Sequence, residues 1–146
     1  MADIKAIRLA LVERIKALEL QLTQVSPYML NNPTPPCAYV VFTDEHYPDG
    51  NRVLTDTLAF TVNALIAISS DVAAQEALDE FVSSNGLGIR AALEQPDPGE
   101  QTVTLGGLIS DLQVTRCRPD RLYPLKGRPD PHATALGAEW TALLYP

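Results

Sequence analysis

The sequence predicts an α+β fold: a largely antiparallel β-sheet with an N-terminal helix and a central helix pair packed on one of its faces. Three observations carry that prediction. Apolar residues recur at helical spacing over residues 4–22, strict alternation runs through residues 57–68 and again through 136–144, and successive strands follow one another without crossover helices.

Ile4, Ile7, Leu11, Ile15, Leu18 and Leu22 step by 3, 4, 4, 3 and 4, which is one face of a helix over residues 4–22. Asp3 precedes it, placed to accept from first-turn N–H groups and to favour the positive end of the helix dipole. Ser26-Pro27 stops any continuation. The run NNPTPP over 31–36 is a loop by composition, because proline holds the backbone extended and lacks a donor. CAYVVF over 37–42 reads as a short apolar strand, and DEHYPDGN over 44–51 as turn chemistry with Asp49-Gly50 at the bend.

In residues 57–68, Leu58, Phe60, Val62, Ala64, Ile66 and Ile68 point one way, and Thr57, Ala59, Thr61 and Asn63 the other. This strand is about twice the usual length, which predicts a place at the centre of the sheet. Ser69-Ser70-Asp71 caps a helix over 72–82, with Ala73, Ala77, Leu78 and Phe81 as its apolar face and Glu76, Asp79 and Glu80 in water. Residues 83–86 break it, a short helix follows over 87–93, and 96–100 is a further loop. Strands over 108–115 and 136–144 complete the sheet, joined by a long basic, proline-rich loop over 116–131. The whole of 1–146 is expected to be one domain.

Composition narrows the function. At 146 residues and 46% hydrophobic, the chain is long and apolar enough to bury a core without staples and too apolar for disorder. No apolar run approaches the roughly 20 residues that cross a bilayer, and charges interrupt residues 1–16, unlike a secretory leader; the expectation is a protein made and kept in a cytoplasm. Cys37 and Cys117 stand apart with no CxxC and no neighbouring ligand, so two buried thiols are expected in place of a disulfide.

Net charge is −7 and unevenly placed. Residues 1–115 hold six basic against fifteen acidic side chains, whereas 116–146 hold five basic against three acidic. The five cations are Arg116, Arg118, Arg121, Lys126 and Arg128. An acidic body repels phosphates, which disfavours specific nucleic-acid binding yet suits a surface past which DNA slides. The basic segment reads as a docking element against the acidic body of a second copy, as a contact to a DNA backbone, or as a solvated loop; a loop of that length without secondary structure is uncommon unless it acts.

Catalytic patterns are missing. The sequence contains no GxGxxG, no GxxxxGK[ST] and no GxSxG. Leu105-Gly106-Gly107-Leu108 precedes a predicted strand, whereas a phosphate cradle opens a helix, so it reads as a turn. Asp44, Glu45, His46 and Asp49 form the one tight group of potential cation ligands, already explained as a hairpin turn, and His132 has no orienting partner nearby. No metal, cofactor or catalytic residue is expected, and the chain is not expected to be an enzyme.

In order, the chain presents Pro35-Pro36-Cys37-Ala38-Tyr39-Val40-Val41, the long strand running into Ser70-Asp71 and Ala77-Leu78-Asp79, then Ala91-Ala92-Leu93-Glu94, Leu105-Gly106-Gly107-Leu108 and Leu136-Gly137-Ala138. In that order and spacing the chain resembles the tail terminator proteins of long-tailed bacteriophages, also called neck or tail-completion proteins. The resemblance spans almost the whole chain, and the segments 45–51 and 116–131 depart from it.

It implies a homo-oligomeric ring, typically of six copies, that caps the head-proximal end of the tail tube. Such a ring stops tube polymerisation and joins the tail to the head's connector or stopper protein while double-stranded DNA passes through. The expected location is the virion neck, assembled in the host cytoplasm, with no membrane partner. On this reading Arg116, Arg118, Arg121, Lys126 and Arg128 are subunit-interface candidates, and the loop acids Asp44, Glu45, Asp49 and Asp97 are channel-lining candidates by exposure. The alternatives are another head–tail connector subunit, an adaptor or stopper, and a small ligand-binding or enzymatic α+β domain.

Overall fold

The computed structural model describes residues 3–17, 22–31, 33–46, 57–68, 71–82, 88–125 and 134–146. Among these described residues it has a mixed α+β fold of three helices and a five-stranded sheet. In chain order the elements are α1 (Ile4–Lys16), β1 (Gln24–Ser26), β2 (Cys37–His46), β3 (Thr57–Ala67), α2 (Val72–Val82), α3 (Ile89–Glu94), β4 (Asp111–Pro124) and β5 (Thr134–Tyr145). The strand order is β1-β2-β3-β5-β4, antiparallel throughout except for the short parallel pair β1–β2.

α1 begins where the sequence places it, with Ala6 N–H donating to Asp3 Oδ1 at 3.1 Å. It ends at Lys16, short of residue 22, and the chain is already extended by Gln24. The spacing of apolar residues alone could not show that stop, because the last predicted anchor, Leu22, packs against the core from beyond the helix. Leu18, the anchor between them, lies outside the described residues. Arg8 fastens the helix to the sheet edge, donating to the carbonyls of Pro27 and Val40 at 2.8 and 3.2 Å with its guanidinium over the Tyr28 ring.

β3 takes the middle of the sheet, as its length predicts. Leu58, Phe60, Val62 and Ala64 are fully buried, and Ile66 nearly so. Its other face is less wet than the alternation implied, since Thr61 and Asn63 are also buried. Ile68, expected to continue the apolar set, is half exposed. β5 behaves similarly, with Leu136, Ala138, Trp140, Ala142 and Leu144 all inside.

These alternate positions share one buried cluster with Ile7, Leu11, Val12 and Ile15 of α1, Ala74 and Leu78 of α2, and Ile89 and Leu93 of α3. α2 matches its predicted span and is capped by Asp71, whose Oδ1 accepts from Ala74 N–H at 2.8 Å. It turns Leu78 inward as expected and Ala74 beside it; Ala73, expected inside, is exposed. The side chain of Phe81 and the predicted caps Ser69 and Ser70 are outside the described set, as are the breaker 83–86 and His132.

The largest correction concerns the segment after residue 108. Residues 105–108 form a turn, with Leu105, Gly106 and Gly107 at φ 50°, 72° and 92°, and the strand starts only at Asp111. It then continues to Pro124, so nine of the residues expected in a basic loop belong to a β-strand, seven of them paired directly with β5. Likewise Asp44, Glu45 and His46 extend β2 and do not belong to a turn; Asp49 and Gly50 lie outside the described residues.

Both thiols are free. Cys37 is buried on β2 and Cys117 half-buried on β4, with β3 and β5 between their strands. That separation, about 14 Å at sheet spacing, is beyond the reach of a disulfide. Burial raises the pKa of each thiol above its ordinary value. Among the described residues no helix is long and apolar enough to cross a membrane.

Candidate functional site

β4 is an edge strand, and two bulges decide which of its side chains share a face. Val114 stands opposite Ala142, but the ladder then skips Thr115, so that Arg116 faces Thr141 and Arg118 faces Glu139. The second irregularity absorbs Pro119 and Asp120, the latter at φ 55°, and Arg121 faces Gly137. Directly opposed residues of an antiparallel pair project to the same side. Thr141, Glu139 and Gly137 alternate along β5, so all three arginines emerge on one face, opposite to that of Trp140 and Ala142. Without the second bulge Asp120 would take the place of Arg121. The result is a row of cations about 7 Å apart along the strand.

The row is not uniform. Arg121 is held inside the chain: its Nη1 donates to Glu139 Oε2 at 3.2 Å, and its guanidinium sits 5.8 Å from the Tyr123 ring centre. Arg116 and Arg118 are exposed and make no ion pair with a described residue. Pro119, the bulges and the charges also protect the edge from indiscriminate strand addition.

Tyr123 anchors this face. Its ring crosses β5 above Gly137, and its hydroxyl donates to Asn63 Oδ1 on β3 at 2.8 Å. A Cβ at Gly137 would stand 2.2 Å from the Ala64 carbonyl oxygen and 3.0 Å from Tyr123 Cε2, so no side chain fits there. Burial pushes the Tyr123 phenol well above its ordinary pKa; Glu139 adds to that rise, and Arg121 opposes it. Below the crossing, Cys37, Leu65, Leu125 and Ala135 form a second buried cluster, with Tyr39 and Leu30 against it.

Asp97 occupies a different setting. It was expected as an exposed loop acid, yet its side chain is only 15% exposed and is bonded on every side. Oδ1 accepts from Thr104 and Leu105 N–H at 3.0 and 3.3 Å, and Oδ2 from Gly106 N–H at 2.9 Å. The Arg14 guanidinium pairs with the same carboxylate and also donates to the carbonyls of Ala92 and Gln95. Burial alone would raise the Asp97 carboxyl; the N–H groups of Gly106 and Thr104 and the charge of Arg14 outweigh it and hold the pKa below the ordinary value. This buckle joins the end of α1, the end of α3 and the 105–108 turn. A hollow of about 420 Å³ opens beside it, lined by Glu13, Arg14, Ala17, Ala92 and Gln95 among others.

Of the predicted site residues, Arg116, Arg118 and Arg121 therefore come together, while Lys126, Arg128 and Asp49 lie outside the described residues. Asp44 and Glu45 are neighbours on β2 that project to opposite faces: Asp44, opposite Ala59, is exposed on the arginine side, and Glu45, opposite Leu58, is half-buried on the other. Asp44 and the arginine row stand at far sides of the same face, with β3 and β5 between. Asp97 is removed from both and is a structural acid. Sequence reading missed Arg14, Tyr123, Asn63 and Glu139; the one available signal was Gly137, whose place inside an otherwise apolar strand marks a close approach. Among the described residues no group of three His, Cys, Asp or Glu side chains is placed to hold a metal ion. No protein-family model and no curated protein matches the chain.

Proposed function

We propose that the chain is a structural subunit of a phage neck, a tail terminator that closes into a homo-oligomeric ring on the head-proximal end of the tail tube. On this reading the three helices gather on one face of the sheet, as their shared buried cluster suggests, and the opposite face is left for contacts. The single observation that carries the proposal is the bulge-directed arginine row on edge strand β4. Two of its three guanidinia are exposed, on a chain whose remaining body is strongly acidic. Cations set out in a line on a rigid edge suit docking against a complementary surface, where charge fixes register and orientation. The mixture of sheet and helix favours a terminator over mainly helical adaptors and barrel-like stoppers. The excess of acid elsewhere suits a conduit that does not trap DNA.

Electron microscopy of the purified protein mixed with tail tubes tests this. Rings seated on one tube end, with tubes that no longer elongate, are the expected outcome. A protein that remains monomeric by light scattering at every concentration, and also beside tubes, overturns it.

A further inference from the structure

We infer that the exposed arginines of β4 seat on the outward face of α2 of a second copy, in a head-to-tail contact. This rests on the ring proposed above and names the two surfaces that meet.

Arg116 and Arg118 supply one half: exposed, in line, and on the same sheet face as the half-buried Leu143, which lies two ladder positions from Arg116. The other half is α2, which carries Glu76, Asp79 and Glu80 at i, i+3 and i+4 and contains no cation. All three are exposed. Like charges at those spacings repel within a helix, so an external cation pair relieves a strain the helix cannot relieve itself. Val72, 69% exposed, lies on the same helical stripe and offers an apolar point between the acids. The spacings agree: Glu76 and Glu80 are about 6 Å apart along the helix axis, and Arg116 and Arg118 about 7 Å apart along the strand.

The directions decide the symmetry. α2 reaches the sheet through Ala74 and Leu78, which share a cluster with Trp140 and Ala142. The arginines emerge beside Thr141 and Glu139, the alternate positions. The two surfaces therefore point away from each other in one chain and cannot meet in a two-fold dimer that uses one patch twice. They meet head to tail, the kind of contact that closes into a ring when the rotation permits.

Charge exchange tests the pairing. Sedimentation velocity across concentration, with and without tail tubes, compares the wild type with R116E/R118E, E76K/E80K and the four-fold combination. Each pair alone is expected to weaken assembly about tenfold or more, and the combination to restore it, because reversed row then meets reversed helix. A combination no better than either pair overturns the contact.

Disulfide trapping gives a second readout in a C117S background. D79C/R118C is expected to yield a ladder of linked chains under oxidation, and R118C alone no dimer. A 118–118 dimer, or no ladder at any concentration, also overturns the contact. Rings seen by microscopy without a ladder sink this pairing and leave the ring standing. A ladder that extends without closing sinks the ring and leaves the pairing standing.

Discussion

Arg14 and Arg118 are the same residue in opposite circumstances. Arg14 is drawn into the body, where it meets a carboxylate and two backbone carbonyls and locks three segments together. Arg118 stands opposite a carboxylate in the ladder, yet Glu139 is taken by Arg121, and Arg118 stays in water. The difference lies in what surrounds each charge. At the buckle, three backbone N–H groups already converge on Asp97, so removing either partner strands polar groups that have little access to solvent. On β4 water replaces any partner that is lost, and a single charge there weighs little for folding. Charges that hold the fold and charges available to a second molecule are thus told apart by desolvation, not by residue type.

Substitutions that invert the two settings would break this contrast. Asp97→Ala removes a paired carboxylate that accepts from three N–H groups, and should cost about 3 kcal/mol in urea unfolding, more than Arg14→Met. A loss under 1 kcal/mol would place Asp97 back among exposed acids. Next in size is Gly137→Ala, at about 2–3 kcal/mol, because the new methyl must push apart β3 and the Tyr123 ring. Tyr123→Phe leaves the packing but deletes the bond to Asn63, for about 1 kcal/mol. Arg118→Gln should change stability by less than about 0.5 kcal/mol while still altering assembly. A larger folding effect would mean that Arg118 belongs with Arg14.

Acid sharpens the same comparison. The Asp97 pKa is lower in the folded chain than in the unfolded one, so its contribution is complete above the unfolded carboxyl value of about 4. It is lost as pH falls through the folded value. The urea midpoint of the wild type should therefore drop between pH 5 and pH 3 by more than that of Asp97→Asn. Equal drops would assign the acid sensitivity to other carboxylates. At the alkaline end the raised Tyr123 phenol gives the converse: its contribution is present below about pH 10 and fades above it, and Tyr123→Phe should flatten that limb.

By itself the sequence determined β3, α2 and β5. Their patterns are local, repeat for nine residues or more, and are read from neighbours along the chain. It also determined the Asp3 cap and the mixed class, because capping and the succession of helices and strands follow from neighbours along the chain. It did not determine the basic strand. Residues 116–124 hold three arginines, two prolines and an aspartate with no steady alternation, and the two bulges that break the alternation are what let that segment pair with β5. The end of α1 and the short β1 were hidden for a related reason: Leu22 packs on the core without being helical. Asp97 was illegible because its partner Arg14 is 83 positions away, and only the closing of the chain brings a guanidinium and three N–H groups onto one carboxylate. Periodicity marks the apolar face of each element, and tertiary structure decides what else is buried and which charges are drawn away from water.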